Sequence, residues 1–170
     1  MKSQRTIDMA LLVKSRFSQM KDSDSGYYCD LNSEVKCGNT GHKLCDLAGF
    51  EYLNGKRHNS IGIELKQLIS DFKTGCGQNY TFDINYLCVP SELVGYALRY
   101  MERNCPPYVG LIEYCDSAQY KYPKLALVKL PLFNNSRHAE DRVDCIREWQ
   151  HVPSFVLGHS GSEEYLIKAS

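Results

Sequence analysis

The sequence lacks an excess of charge of either sign, because 20 Lys and Arg residues balance 20 Asp and Glu residues. Proteins that coat nucleic acid are usually basic overall, so this balance counts against a general DNA-coating role. It leaves room for a local basic face, because a ligand responds to the field of the surface that it meets.

Long hydrophobic runs are also lacking. None approaches the ~20 apolar residues that a membrane-spanning helix needs. The first residues contain no apolar stretch of the kind found in a secretory signal peptide. We therefore expect a cytoplasmic protein with no membrane partner.

Closely spaced pairs of metal-binding cysteines are absent. None of the eight cysteines belongs to a CxxC or CxxH pair, which is the local spacing that most zinc sites use. Without a secretory signal, a disulfide framework is not expected either. Several cysteines lie in apolar runs such as Leu87-Cys88-Val89, where a thiol behaves as a small hydrophobe. We predict reduced, structural cysteines; a metal or iron–sulfur site built from distant cysteines is the alternative.

What is present fits one globular domain. At 170 residues and 43% hydrophobic content, the chain can bury a core of its own. We predict a single domain over 1–170, with a core at about 27–130 and a C-terminal extension over 131–170.

Hydrophobic periodicity and turn residues predict the following elements: a helix over 5–20, strands over 27–36, 44–53 and 60–68, a short helix from Ser70, a strand over 84–89, a helix that opens at Pro90 with Ser91 as its N-cap, strands over 108–114 and 125–130, and a helix over 140–149. This order predicts an α/β (α+β) fold with a mixed sheet flanked by helices.

Two charged residues alternate with apolar ones in the third strand. Glu64 and Lys66 are two residues apart, so their side chains leave the same face of the strand. Alone, this pattern is typical of any half-exposed strand.

Asp46 is a second acid that the predicted hairpin brings close to Glu64. Asn54-Gly55 is a strong turn signal between the second and third strands. If the loop has three residues, with Leu53 opposite Arg57, Asp46 lies directly opposite Glu64 on the same face, with Cβ atoms ~5 Å apart. A slip of one residue would turn Asp46 away, and longer loops remain open.

Two adjacent carboxylates repel each other unless a positive charge lies between them. Mg²⁺ or Mn²⁺ suits an all-oxygen site of this kind. A bound ion would lower the pKa of water and polarise a phosphoryl oxygen. Lys66 could orient the attacking water and offset negative charge on the phosphate. The pattern therefore favours phosphodiester hydrolysis.

At this point the sequence resembles a known family. Cys45-Asp46-Leu47, followed by Ile63-Glu64-Leu65-Lys66, is similar to the signature of the PD-(D/E)xK nuclease superfamily. The closer resemblance is to the MmcB-like group and its relatives in phages and mobile elements. It extends over roughly 27–130 through an ordered series of segments: Ser70-Asp71-Phe72-Lys73, Gly77-Gln78-Asn79-Tyr80, Asn85-Tyr86 with Pro90-Ser91-Glu92-Leu93, and Pro107-Tyr108-Val109-Gly110.

The resemblance implies a restriction-endonuclease-like core of α-β-β-β-α-β order and a Mg²⁺- or Mn²⁺-dependent nuclease used in DNA repair or mobile-element DNA processing. It implies that Asp46, Glu64 and the backbone carbonyl of Leu65 bind the metal and that Lys66 is the catalytic lysine. Auxiliary positions would be Gln78, for phosphate or water, and Asp8 on the first helix. Asp71 is either a helix cap or a support of the site. DNA would be the partner, and a homodimer is compatible with the superfamily.

Basic residues near aromatic ones form a second set of candidates, because such combinations suit a nucleic-acid backbone with base stacking. A solvated strand edge gives the same pattern. The candidates are Lys56 and Arg57 at the hairpin tip and Lys121, Lys124, Lys129 and Arg137 further along the chain. The alternatives to a nuclease are a non-cleaving nucleic-acid-binding module with the same fold and a structural or interaction protein.

Overall fold

The structure is a computed structural model that describes residues 3–37, 43–74, 80–116 and 122–134. The helix predicted over 140–149, Gln78, Lys121 and Arg137 lie outside these ranges. The elements, in chain order, are α1 (Gln4–Gln19), β1 (Tyr28–Cys37), β2 (Lys43–Leu53), β3 (Lys56–Leu65), α2 (Ile69–Lys73), β4 (Ile84–Pro90), a 3-10 turn (Ser91–Leu93), α3 (Val94–Asn104), β5 (Gly110–Cys115) and β6 (Lys124–Lys129).

The strands form one six-stranded mixed sheet in the order β1-β2-β3-β4-β5-β6. The first three strands form an antiparallel meander. Strands β4 and β5 run parallel to β3, and β6 returns antiparallel to β5. Each parallel connection contains a helix, as parallel neighbours require a crossover. The prediction of a mixed sheet flanked by helices is confirmed.

The two faces of the sheet are covered by different helices. On one face, α1 places Met9, Val13 and Phe17 against apolar residues of the sheet that include Ile63 and Leu65. On the other face, α2 and α3 pack against residues of β4 and β5. We call the first the α1 face and the second the α3 face. In the described ranges, no helix has the length and hydrophobicity of a membrane span.

The β2–β3 hairpin corrects one detail of the sequence prediction and confirms another. The loop has two residues, Asn54 and Gly55, with Leu53 paired to Lys56 and not to Arg57. Both loop residues have positive φ, 52° and 73°, as a type I′ turn requires. The register then shifts by one residue between the Tyr52–Arg57 and Phe50–Ser60 pairs. Beyond that bulge, the pairing is the predicted one.

The start of α3 also differs from the prediction. Ser91 does not cap an α-helix: residues Ser91–Leu93 form a 3-10 turn, and α3 begins at Val94. The Ser91 hydroxyl donates a hydrogen bond to the carbonyl of Tyr114 at 3.4 Å, so it links this turn to β5 instead.

Five of the cysteines are free thiols. Cys29, Cys45 and Cys88 are buried, and Cys105 and Cys115 are half-buried. This agrees with the prediction of reduced, structural thiols for these five. Burial raises the pKa of the Cys29 thiol to about 12, and the nearby Glu51 and Asp30 carboxylates raise it further. Burial alone raises the pKa of Cys88.

We expect the free energy of unfolding to fall as the pH rises from about 9 to about 12. The exposed thiol of the unfolded chain loses its proton near pH 9, whereas Cys29 in the folded protein keeps it up to about pH 12. The unfolded state therefore binds fewer protons in this window, and stability falls by up to about 1.4 kcal/mol per pH unit for this group. Urea unfolding at several pH values should show a smaller slope for Cys29→Ala than for wild type. Cys115→Ala is the matched control, and an equal loss of slope in both variants would contradict the assignment.

Candidate functional site

The candidate site lies where β2 begins and β3 ends. Leu47 pairs with Ile63, and Ala48 pairs with Gly62. The pairs end there; continued by one residue, this register leads to Asp46 on β2 and Glu64 on β3. The ladder changes at this point, because Oδ2 of Asp46 accepts a hydrogen bond from the backbone N–H of Leu65 at 2.9 Å. A side-chain carboxylate of β2 thus contacts the segment of β3 that carries Glu64 and Lys66.

Glu64 and Lys66 are both buried, with 1% and 5% of their surfaces exposed. Asp46 is half-buried. Glu64 lies beside Leu87 of β4, which belongs to the α3-side core, so its carboxylate is on the α3 face. Transferring charged groups out of water is costly, and two of them lie within three residues at the end of one strand. The site therefore combines a buried acid and a buried base with a second, more accessible acid.

Gly62 leaves space for the Phe82 ring on its face of β3. A Cβ on Gly62 would lie 2.1 Å from a ring carbon of Phe82, so the ring occupies the space that a side chain would take. Phe82 is held by its own backbone, since its N–H donates to the Asn85 side chain and its carbonyl accepts from Asn85 and Asn134. The Phe82 ring therefore covers Gly62, two residues before Glu64 on the same strand.

The chain after Lys66 is anchored from two sides. The Asp71 carboxylate accepts hydrogen bonds from the backbone N–H groups of Gln67 and Leu68, at 2.9 and 2.8 Å. The side chain of Gln67 accepts one from the Thr6 hydroxyl of α1 at 2.8 Å. Asp71 therefore caps α2, and by doing so it also fixes the main chain next to Lys66.

Two residues that were not predicted as site residues lie within electrostatic range of Glu64 and Lys66. Tyr80 is 7% exposed, and its Oη lies 3.5 Å from Sγ of Cys105. Burial is the main cause that raises the pKa of Tyr80, and the negative charge of Glu64 adds to it. Burial also raises the pKa of Cys105, against the opposing effect of Lys129 and Lys66. No periodic signal marks these positions, because Tyr80 lies outside the strands and helices and Cys105 follows the last residue of α3.

Asp8 is on the other side of the sheet. Its helix α1 covers the α1 face, where Asp8 accepts a hydrogen bond from Gln4 at 2.9 Å. Its charge also contributes to raising the pKa of Tyr114, a residue of the α1-side core. Glu64, in contrast, is on the α3 face.

The basic candidates are spread across the sheet. Lys56 and Arg57 are exposed at the hairpin end of β3. Lys129 pairs with Leu111, which pairs with Leu87, the neighbour of Glu64. It is therefore in the same row as Glu64, three strands and about 14 Å away. Lys124 lies at the opposite end of β6. The described cations do not form one continuous patch.

The candidate ligand atoms of Asp46 and Glu64 are carboxylate oxygens. In the ranges that the structure describes, no group of three or more His, Cys, Asp or Glu side chains could hold a metal ion. Side chains would therefore supply two carboxylates, and a third ligand has to come from the main chain. The N–H and C=O of a strand residue point to the same neighbouring strand, so the Leu65 carbonyl points toward the strand of Asp46. This set of oxygen ligands fits Mg²⁺ or Mn²⁺.

Comparison with known proteins assigns no family to the chain. No protein-family model matches it. Neither the curated proteins nor the solved structures contain a significant match.

We expect Gly62→Ala to destabilise the fold by about 1–3 kcal/mol, because the new methyl group must displace the buried Phe82 ring. Gly95→Ala is the matched control. The nearest atom to its added Cβ is the flexible Arg99 guanidinium at 3.8 Å, so the helical preference of Ala should leave stability unchanged or raise it by up to about 1 kcal/mol. Urea unfolding of both variants measures the difference. Equal stability of the two variants would contradict the close packing of Phe82 on Gly62.

Proposed function

We propose that the protein is a metal-dependent deoxyribonuclease whose site consists of Asp46, Glu64, the Leu65 carbonyl and Lys66. The observation that carries this proposal is the local pairing of β2 with β3, which brings Asp46 to the Glu64–Lys66 segment. Glu64 and Lys66 are buried there together. A buried acid and base can often be replaced by apolar residues without loss of stability, so their presence favours a chemical role.

The topology supports the same proposal. We infer a restriction-endonuclease-like core of α-β-β-β-α-β order. In support, α1 precedes an antiparallel meander of three strands, and α2 leads to β4, which is parallel to β3. The second parallel strand and β6 extend the sheet on the far side. The site then lies at the end of the third strand, where the resemblance in sequence expects it.

In the proposed hydrolysis, the acids and the lysine of the site have different roles. Asp46 and Glu64, with the Leu65 carbonyl, would hold Mg²⁺ or Mn²⁺. When bound, the ion supplies Lewis acidity toward the phosphodiester and a lowered pKa for water. Lys66 donates hydrogen bonds that orient the attacking water and balances the charge that develops on the phosphate. Glu64 and Lys66 are buried, and the low dielectric of a buried site strengthens these interactions.

The first test is metal-dependent stabilisation. If Asp46 and Glu64 share an ion, Mn²⁺ at about 100 times its Kd should stabilise the wild type by about 2.7 kcal/mol. For a chain of this size, that is a rise in Tm of roughly 5–10 °C. Glu64→Gln should lose most of this rise. Glu102→Gln, which changes an exposed acid on α3, should keep it. An equal rise in all three proteins would rule out a shared site.

The second test is DNA cleavage. Lys66→Met removes the charge but keeps a long side chain, so we expect the rate of plasmid nicking with Mn²⁺ to fall by about 100-fold or more. The Mn²⁺-induced rise in Tm should persist, because Lys66 is not a ligand. Lys73→Met, which changes an exposed lysine on α2, is the control and should nick DNA at the wild-type rate. Wild-type protein that binds DNA and Mn²⁺ without nicking would instead favour the non-cleaving binding module.

A further inference from the structure

The hairpin end of the sheet carries a row of three side chains that the acid site does not use. Tyr28 of β1 pairs with Tyr52 of β2, and Tyr52 pairs with Arg57 of β3. Paired residues of neighbouring strands point to the same face. The row therefore consists of two aromatic rings followed by a guanidinium group, side by side across three strands. We call these three residues the aromatic row.

The rings of the row are arranged for stacking. Tyr28 and Tyr52 are parallel, with an angle of 2° between their planes and 4.5 Å between their centroids. Tyr52 also meets the edge of Phe50, and the Arg57 guanidinium lies 4.7 Å above the Phe50 ring. Phe50 is buried and contacts both Tyr52 and Arg57, so it connects these two side chains to the core. The row is supported by the core.

The outer end of the row is accessible. Tyr28 is 36% exposed and belongs to β1, which is an edge strand of the sheet. A groove of about 490 Å³ runs beside it, lined by Lys21, Asp22, Ser23, Gly26, Tyr27 and Tyr28. Since one side of the Tyr28 ring is covered by Tyr52, its contribution to the groove comes from the other side or the ring edge. A planar group could enter the groove and extend the stack.

The row itself supplies one positive charge next to its flat rings. Arg57 is exposed at the β3 end of the row, whereas the alternation of β3 directs Lys56 to the opposite face of the sheet. At the β1 end, the groove contains both Lys21 and Asp22. Asp30 is exposed one row away, opposite Phe50, and would repel phosphates. A phosphate chain would therefore follow the Arg57 side.

We propose that the aromatic row binds an unpaired base of single-stranded nucleic acid, with Tyr28 as the stacking surface and Arg57 as the phosphate contact. Stacking on tyrosine needs a base whose ring is free, which a blunt duplex does not provide. This proposal deepens the proposed function and rests on it in one respect, since the bound strand is the one that reaches the acid site. Tyr52 and Asp46 are six residues apart on β2, about 20 Å, a span of roughly six stacked nucleotides.

The test compares single-stranded and duplex DNA with the full chain in EDTA, so that no strand is cleaved. A fluorescein-labelled oligonucleotide of roughly 15 thymidines and a blunt duplex of similar length are titrated by anisotropy. We expect Tyr28→Leu to weaken single-strand binding by about tenfold, with a range of roughly 5- to 100-fold for the loss of one stacked base. Duplex binding should change by less than about twofold.

Tyr28→Phe is the matched control, because it keeps the ring and removes only the hydroxyl. It should bind the single strand within about twofold of wild type. If Tyr28→Leu does not fold, as judged by circular dichroism and thermal melting, Arg57→Met replaces it. We expect that variant to bind single strands more weakly and with a smaller dependence on salt. The proposal fails if wild type does not bind the single strand, if single-strand and duplex binding weaken equally, or if the Phe variant is as weak as the Leu variant.

Single-strand affinity in EDTA tests the aromatic row, whereas the Mn²⁺-induced rise in Tm and DNA nicking test the proposed nuclease site. Glu64→Gln should keep the single-strand affinity in EDTA while it loses the Mn²⁺-induced rise in Tm. If the aromatic row has no part in binding, the Mn²⁺ and nicking results stand without it. If the protein is not a nuclease, the dependence of single-strand affinity on Tyr28 remains.

Discussion

The pairing of β2 with β3 is the constraint on which the candidate site depends. The two-residue turn at Asn54-Gly55 starts the hairpin in one register, and the bulge in β3 around His58 and Asn59 changes it by one residue. Had the register of the turn continued, Ile63 would lie opposite Asp46. A shift of one residue exchanges the faces of a strand, so the bulge decides whether the acids meet.

The buried pair also determines what surrounds it. Glu64 and Lys66 cannot be solvated by bulk water, so the energy of the charged pair depends on fixed neighbours. Phe82 packs on Gly62 of the same strand, the charge of Glu64 acts on Tyr80, and Asp71 holds the chain after the lysine. A strand end that is this constrained can hold reacting groups in one geometry, which is what catalysis by positioning requires.

The sheet places two different groups of side chains at the two ends of one strand pair. Carboxylates and Lys66 lie where β2 starts and β3 ends, and tyrosines with Arg57 lie at the hairpin end. Strands β2 and β3 connect the two regions through one hairpin that contains a single bulge, so strand length sets their separation. This arrangement suits a ligand that is long and polymeric, with flat groups and charged groups in alternation.

Periodicity and turn chemistry are local properties, so they were enough to predict the order of the described elements, the hairpin turn and the place of Glu64 on its strand. The sequence also indicated Asp46 as the partner of Glu64, but through a loop length that was wrong by one residue, with Leu53 placed opposite Arg57. Three features became visible only in the folded chain: the bulge that compensates for the shorter loop, the place of Asp8 on the α1 face, and the two separate contacts of Tyr80 with Cys105 and of Tyr28 with Tyr52. These contacts join residues that are far apart in the chain, and their geometry depends on how strands pair and helices cover the sheet, which no local pattern encodes.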